Sequence, residues 1–320
     1  MAGSRQSRIS NVKQRLMNMK SFCFALSTAA GLAAIAAPAS VFARDVVLQD
    51  DQMRVAFDAK SGALIRLEDK TAHWTIERRP ELGVSFRLFA PLPDRRWNPV
   101  LGQKQKAVEV KKLSDHEVRL QWKELASESD GVLPMTLTAD VTLTNGALTF
   151  NATLENDSLL TVETLDYPYF GDFNAPTRAT TLEARVMRNN KRGNLQTDEI
   201  YPHFGNEKGY WGVFWPLKTR EAQQSRFCLI SSPVEGVYVE MAVPSAPYRM
   251  QWTFEQHPGV ISAINNLVPP EDEISGTPVH LEFRACHFIF AAPHSTISLA
   301  PIVLRCYQGD WHAGVGLDKQ

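Results

Sequence analysis

Residues 135–154 constrain the fold more than any other stretch of the chain. Apolar and polar residues alternate there on both sides of the dipeptide Asn145-Gly146. Alternation flanking Asn-Gly is the strongest local signal for a β-hairpin with a two-residue turn. Such a turn pairs Val141 with Phe150, so the apolar residues of both strands share one face and the threonine-rich residues share the other. A slip of one residue would expose the apolar face to water, so the register is strongly specified.

Similar alternation recurs along most of the chain. Residues 53–57 alternate before a turn at residues 58–62, where Asp58 is expected to accept bonds from nearby backbone amides and Gly62 to take a positive φ. The strand predicted over residues 279–290 has apolar residues on both faces, which is typical of a strand buried on both sides. Apolar stripes of helical period hardly ever last three turns. More than a dozen strands exceed what one sheet usually holds, so we predict an all-β fold, a large two-sheet antiparallel β-sandwich.

Residues 1–43 have the composition of a secretory signal peptide. They contain five basic residues and no acid, and an apolar run over residues 22–42 ends in small residues. A membrane-anchoring helix is the alternative, but Ser27, Thr28 and Pro38 interrupt the run and make it short for a bilayer span. We therefore predict a periplasmic or secreted protein that has no membrane contact after cleavage.

The net charge and the cysteine content limit which partners and which disulfides can be expected. Without the five bases of residues 1–43 the chain has 29 Lys and Arg against 35 Asp and Glu, a formal charge of −6. No long basic block remains, so no nucleic-acid partner is predicted. Export permits disulfides, but the three remaining cysteines, Cys228, Cys286 and Cys306, leave at least one thiol unpaired within the chain. We expect the three cysteines to serve mainly as small buried apolar residues, and Cys286 and Cys306 are the candidate pair for a disulfide.

An aromatic segment over residues 201–215 is the clearest candidate for ligand binding. Tryptophan, tyrosine and histidine can stack on a sugar ring while their polar edges bond its hydroxyls. The candidate substrate-binding residues are Tyr201, His203, Trp211 and Trp215. The alternative is a core role, because the spacing of the two tryptophans puts both on one side of a strand.

No catalytic pair can be chosen from the sequence. Hydrolysis of a glycosidic bond usually requires two carboxylates across the scissile bond. The candidates are Asp140, Asp166, Asp172, Glu199, Glu240, Glu282 and Asp310, and no spacing selects two of them. Glu240 and Glu282 fall in apolar strands, where we expect each to face solvent on a sheet surface. The histidines show no ligand spacing, so neither a metal nor another cofactor is predicted.

The segment Gly309, Asp310, Trp311 and His312 is predicted to connect rather than to catalyse. Asp310 can cap a helix that begins at Trp311. We do not expect Asp310 and His312 to form a catalytic pair. We assign Asp310, Trp311 and His312 to a linker or interface.

Several short motifs recur together in one family of sandwich proteins. They are Asp58-x-x-Ser61-Gly62-x-Leu64-x-x-Leu67, the run Asn156, Asp157 and Ser158, the pattern Val162 with Leu165-x-x-Pro168, the strand Gly236, Val237, Tyr238 and Val239, and residues 307–314 (YQGDWHAG). With these motifs the chain resembles the galactose-mutarotase-like β-sandwich of secreted bacterial glycoside hydrolases. In that family the sandwich precedes a TIM-barrel catalytic domain. The resemblance implies a signal peptide at 1–43, a β-sandwich domain at 44–305 and the start of a linker at 306–320.

The resemblance also implies a function. The expected protein is a carbohydrate-associated module of a glycoside hydrolase that is not catalytic by itself, with a carbohydrate and a TIM-barrel domain or separate polypeptide as partners. One alternative is a stand-alone aldose epimerase or polysaccharide lyase. It would need a His/Glu or His/Tyr/Arg cluster in one cleft, for instance Tyr201, His203 and Arg192 near His287 or Glu240. Another is a periplasmic interaction module with an exposed apolar sheet face.

Overall fold

The fold is described from a computed structural model for residues 45–177, 182–187, 195–201, 214–216, 225–243, 246–257 and 280–318. The strands there are β1 (Val46–Gln49), β2 (Met53–Phe57), β3 (Leu64–Asp69), β4 (Trp74–Glu77), β5 (Arg87–Phe89), β6 (Pro99–Leu101), β7 (Glu109–Ser114), β8 (Glu117–Ala126), β9 (Val132–Thr144), β10 (Ala147–Asn156), β11 (Thr164–Phe170), β12 (Leu182–Met187), β13 (Leu195–Tyr201), β14 (Phe214–Pro216), β15 (Phe227–Ser231), β16 (Glu235–Met241), β17 (Arg249–His257), β18 (His280–Phe288), β19 (Ser295–Ser298) and β20 (Ile302–Gln308). The helices are the 3₁₀ turns η1 (Pro80–Leu82) and η2 (Gly102–Lys104) and the helix α1 (Trp311–Leu317). Among these residues, no helix has the length and apolar character that a bilayer span requires.

The strands form three antiparallel sheets. A four-stranded sheet has the order β1-β2-β3-β4. A ten-stranded sheet has the order β13-β12-β15-β16-β20-β10-β9-β8-β7, and β19 also pairs with β10. A six-stranded sheet has the order β14-β17-β18-β11-β5-β6. The prediction of an all-β sandwich built on large antiparallel sheets is confirmed.

The central hairpin, β9 and β10, has the predicted register. Val141 pairs with Phe150, and the turn residues Asn145 and Gly146 have φ values of 51° and 72°. Positive φ at both turn positions is the signature of the type I′ turn that suits the twist of a hairpin. The alternating apolar side chains from Met135 to Leu143 in β9 and from Leu148 to Leu154 in β10 are buried, whereas the threonines of β9 are mostly half-buried.

The core lies between the two large sheets. The ring of Phe150 in β10 lies 5.9 Å from that of Tyr167 and 6.0 Å from that of Phe170, both in β11. These contacts join the ten-stranded sheet to the six-stranded one. Burying a large apolar side chain contributes roughly 1.5–3 kcal/mol, so such contacts supply much of the cohesion between the sheets.

The turn between β2 and β3 connects the four-stranded sheet to the same core. Asp58 Oδ1 accepts hydrogen bonds from the backbone N–H and the hydroxyl of Ser61 at 2.7 and 2.6 Å, and Gly62 has a φ of 68°. The indole N–H of Trp122 donates to the carbonyl oxygen of Ser61 at 2.8 Å, and its ring lies 5.0 Å from that of Phe86. Both predictions for this turn are confirmed.

The predicted disulfide between Cys286 and Cys306 is wrong. All three cysteines in the described part of the chain are free thiols. Cys286 belongs to β18 in the six-stranded sheet, and Cys306 belongs to β20 in the ten-stranded sheet. Cys286 faces a cleft on the polar side of its sheet, whereas Cys306 packs against the core, so the two side chains do not meet.

Candidate functional site

The polar face of the six-stranded sheet carries the candidate site. On β18, Leu281, Phe283 and Ala285 belong to the core, so the residues between them lie on the opposite face. Those residues include Glu282 and Arg284, which are 9% and 2% exposed. The prediction that β18 is buried on both faces is confirmed, but the second face is charged rather than apolar. Glu282 is buried, so the expectation that it faces solvent is wrong.

A cleft opens on this face between β5, β11, β17 and β18. It has a volume of about 490 Å³, within the range of about 300–1,000 Å³ that small-molecule sites occupy. Its lining combines aromatic, charged and hydroxyl or amide side chains: Arg87, Phe89, Pro91, Arg96, Trp97, Glu163, Thr164, Asp166, Gln251, Thr253, Glu255, Arg284, Cys286 and Phe288.

Arg284 is the centre of an ion-pair network at the cleft. Its guanidinium nitrogens lie 3.1 Å from Asp166 Oδ2, 2.6 Å from Glu255 Oε2 and 3.4 Å from Glu282 Oε2. A second guanidinium, that of Arg87, lies 2.9 Å from Asp166 Oδ2. Burial acts to lower the pKa of Arg284, but the acidic groups around it prevail and raise that pKa, so the side chain stays charged.

Tyr169 supports the two arginines. Its ring centre lies 5.6 Å from the guanidinium carbon of Arg87 and 5.3 Å from that of Arg284, and its hydroxyl donates to Glu282. A register shift between Asp166 and Tyr169 interrupts the alternation of β11. Burial, reinforced by the charge of Glu282, raises the pKa of Tyr169 well above its usual value, so the phenol remains a hydrogen-bond donor.

The Asp166 carboxylate presents a buried oxygen atom at the cleft, beside the thiol of Cys286. Asp166 is 1% exposed, and its Oδ1 atom has no hydrogen-bond partner among the described residues. Cys286 lines the same cleft, and burial, followed by the charge of Asp166, raises the pKa of its thiol well above the usual value. A buried acceptor of this kind usually finds a partner in a ligand or an ordered water.

A neighbouring cavity of about 520 Å³ opens on the side of the four-stranded sheet. It is lined by Asp58 and Glu81 and by His280 and Glu282, whose Nε2 and Oε1 atoms are 3.7 Å apart. No group of three or more histidine, cysteine or acidic side chains within the described ranges is arranged to hold a metal ion.

The aromatic residues predicted to bind substrate are placed only in part. Tyr201 is the last residue of β13, at one edge of the ten-stranded sheet. Trp215 lies in β14 of the six-stranded sheet and pairs with Phe254 of β17, the strand that also carries Glu255. His203 and Trp211 lie outside the described residues, so their predicted role stays a prediction.

Two of the seven candidate carboxylates come together at Arg284, namely Asp166 and Glu282. Asp172 pairs with Arg79, and Asp140 pairs with Arg119, on other parts of the molecule. Sequence reasoning missed Arg87, Glu255 and Arg284. Charged residues that alternate with apolar ones in β17 and β18 were the available signal.

His287 and Glu240, two residues of the constellation expected for a stand-alone enzyme, lie in different sheets. His287 is fully buried, and its Nε2 lies 2.8 Å from the carbonyl oxygen of Tyr167. Burial lowers the pKa of His287 to about 4, so the imidazole is neutral near pH 7. Glu240 belongs to the ten-stranded sheet, where its Oε1 accepts a hydrogen bond from Arg305 at 2.9 Å. Arg192 lies outside the described residues.

Asp310, Trp311 and His312 form the start of α1. Asp310 Oδ1 accepts a hydrogen bond from the His312 backbone N–H at 3.1 Å, so the predicted helix cap is present. The imidazole of exposed His312 stacks on the indole of Trp311 at 3.7 Å between ring centres. Helix α1 packs on the face of β15, β16 and β20 that is turned away from the core. The helix and the three strands form an apolar cluster there: Phe227, Leu229, Tyr238, Tyr307, Trp311, Val315 and Leu317. Whether the segment connects to a further domain stays a prediction.

Comparison with known proteins identifies relatives by structure. No protein-family model and no curated protein matches the sequence. The Slr1438 protein from Synechocystis sp. PCC 6803 is 12% identical with a TM-score of 0.50, and the match covers 82% of this chain and 95% of that one. The two chains share a fold. At this identity the likeness carries no information about activity.

Two further matches bear the names of the expected family. A galactose mutarotase-like protein from Lactobacillus casei is 10% identical with a TM-score of 0.45, covering 83% of this chain and 100% of that one. An α-galactosidase from Lactobacillus brevis is 10% identical with a TM-score of 0.45, covering 83% of this chain and 40% of that one. A galactose mutarotase-like protein and an α-galactosidase are thus among the solved structures to which this chain is similar.

Proposed function

We propose that this protein is a carbohydrate-associated β-sandwich domain whose cleft on the six-stranded sheet binds a sugar. The observation that carries the proposal is the buried network of Arg284 with Asp166, Glu255 and Glu282. Buried ion pairs cost desolvation energy and are often no more stable than apolar residues of similar size. A cluster of this kind beside a cleft is therefore a candidate for function.

The chemistry of the lining suits polyhydroxylated ligands. A sugar hydroxyl both donates and accepts, and the cleft presents carboxylate acceptors, guanidinium donors and the amide of Gln251 side by side. These groups are held by one another, so little side-chain entropy is lost when a ligand binds. Phe89, beside Arg87, offers a ring face for the C–H groups of a sugar.

We further propose that the domain is not a hydrolase by itself. Hydrolysis by a carboxyl pair requires one member to donate a proton to the leaving group. In this site Asp166, Glu255 and Glu282 each contact a guanidinium. A TIM-barrel domain, or a separate polypeptide that carries one, is the proposed catalytic partner.

Calorimetry with neutral monosaccharides and oligosaccharides tests the binding proposal. We expect Glu255→Gln to raise the Kd at least about tenfold, because one charge-assisted hydrogen bond contributes roughly 1.5–3 kcal/mol. Asp140→Asn, in the exposed pair on the other large sheet, is the matched control and is expected to leave the Kd unchanged. Absence of binding to any sugar, or equal effects of the two variants, would overturn the proposal.

The same samples test the enzymatic alternative. Interconversion of the anomers of a freshly dissolved aldose can be followed by polarimetry. We expect the rate with protein to equal the rate in buffer. An acceleration that Glu255→Gln abolishes would show that the stand-alone epimerase reading is the correct one.

Export is the third part of the proposal. We propose that residues 1–43 are removed and that the mature protein acts in the periplasm or outside the cell. Amino-terminal sequencing of the protein recovered from those fractions is expected to begin at Arg44. Recovery of the uncleaved chain from the membrane fraction would favour the anchor alternative.

A further inference from the structure

We propose that Trp97 forms a second subsite at the mouth of the cleft, so that the ligand is an oligosaccharide whose second ring stacks on this indole. This inference rests on the proposed function. It adds that the ligand has at least two sugar rings and that Trp97 contacts the second one. A sugar ring presents C–H groups on one face, and an aromatic ring is the usual surface on which such a face packs.

Trp97 is exposed although its position is fixed. Its exposed fraction is 64%, and it lines the cleft together with Phe89 and Phe288. The ring of Trp97 lies 4.9 Å from that of Phe89, whose own ring lies 5.3 Å from the guanidinium carbon of Arg87. The exposed indole thus packs at a tilt of 58° against Phe89, which in turn contacts the arginine that belongs to the buried network.

The loop that carries Trp97 is closed at its base. The backbone N–H of Ala90 donates to the carbonyl oxygen of Asn98 at 3.2 Å, and the Asn98 amide donates back to the carbonyl of Ala90 at 2.8 Å. Asn98 is fully buried, and its Oδ1 accepts from the backbone N–H of Ser129 at 3.2 Å. Leu92 and Arg95 close the tip through reciprocal backbone bonds of 2.9 and 3.2 Å. A large ring held in this way gives up little freedom when it binds a ligand.

Polar groups flank the indole. Arg96, the neighbour of Trp97, donates two hydrogen bonds to the carboxylate of Glu163 at 3.0 and 2.6 Å, and both side chains line the cleft. This bidentate pair ties the loop to the segment before β11 and presents acceptor and donor atoms for the hydroxyls of a second ring. The cleft therefore has a buried charged floor at Arg284 and an aromatic, solvent-facing rim at Trp97.

Titrations that vary ligand length test the inference. Glucose and galactose serve as single rings, and the maltose and β-galactooligosaccharide series up to four units serve as extended ligands. For the wild-type protein we expect the best disaccharide to bind about tenfold more tightly than its monosaccharide, since one aromatic contact is worth about one power of ten. Trp97→Ala is expected to remove this advantage while leaving the monosaccharide Kd unchanged.

Two variants complete the design. Trp97→Phe keeps an aromatic face and is expected to retain most of the advantage. Val234→Ala removes another exposed apolar side chain, 49% exposed in the turn between β15 and β16, and is expected to have no effect. This inference alone is overturned if the Trp97→Ala variant still binds the disaccharide more tightly than the monosaccharide. It is also overturned if the wild-type protein binds one and two rings with equal affinity. Failure of the wild type to bind any sugar overturns the proposed function as well.

Discussion

Replacement of Arg284 by methionine tests whether the buried network is the energetic centre of the site. Arg284 is 2% exposed, and its partner Asp166 is 1% exposed. At a separation of about 3 Å and an effective dielectric constant of about 20, one ion pair is worth roughly 5 kcal/mol before desolvation is counted. Removing one partner of a buried pair costs about 3–5 kcal/mol, because the other charge is left buried and uncompensated.

The neighbouring Arg87 determines how much of these roughly 3–5 kcal/mol is lost in the Arg284→Met variant. Arg87 still lies 2.9 Å from Asp166 and 4.0 Å from Glu255 after the substitution, so it compensates part of the loss. We therefore expect Arg284→Met to lower the free energy of unfolding by about 3 kcal/mol. Asp166→Asn is expected to lower the free energy of unfolding much less in the Arg284→Met variant than in the wild type. The interaction energy of this double-mutant cycle is expected to be about 1–3 kcal/mol.

Urea unfolding at pH 7, followed by tryptophan fluorescence, measures these quantities. The control is Arg119→Met, because Arg119 forms its 2.7 Å ion pair with Asp140 while it remains 42% exposed. Exposed pairs contribute about 0.2–1 kcal/mol, so this variant is expected to lose less than 1 kcal/mol. Equal losses for the two arginine variants, or full additivity of Arg284→Met with Asp166→Asn, would refute the reasoning.

Three further substitutions probe other parts of the fold. Burial holds the pKa of Glu77 well above its usual value of 4.5, so this group stabilises the fold at acid pH and that contribution is lost as the pH rises through the raised pKa. Glu77→Gln is expected to flatten this fall of stability above pH 4.5 in unfolding titrations, and an unchanged pH profile would contradict it. Gly62→Ala is expected to lower the free energy of unfolding more than Gly131→Ala does. Both glycines have positive φ, but only at Gly62 would the new Cβ lie 2.6 Å from a Trp122 ring atom. Equal unfolding midpoints for the two variants would count against the clash. Asp310→Ala removes the cap of α1 and is expected to lower the free energy of unfolding by about 1 kcal/mol. Asp310→Asn keeps a capping side chain and is expected to retain most of that stability. Equal losses for the two variants in thermal unfolding would disprove the cap.

Local features of the fold were predictable because each depends on a few adjacent residues. The register of β9 and β10 followed from alternation on both sides of Asn145-Gly146. The turn after β2 followed from the ability of Asp58 to accept backbone hydrogen bonds and of Gly62 to take a positive φ. The cap of α1 followed from Asp310 in the same way.

The site was not predictable because its strands are distant in sequence. β11 lies between β5 and β18 in the sheet, so Arg87, Asp166 and Arg284 meet only once these three strands are in register. Period-two alternation shows which face of a strand a residue occupies but not which strand lies beside it. Glu282 was for that reason expected to face solvent, and it instead lies beside Arg284, two residues along the same strand.

The order of the ten-stranded sheet determines when the domain can be completed. β20, the last strand in the described part of the chain, is inserted between β16 and β10 rather than added at an edge. Until Ile302 to Gln308 are in place, the two halves of this sheet have no shared neighbour, and their edges are exposed to wrong pairing. A variant truncated before Ile302 is therefore expected to remain sensitive to protease in the region of β10.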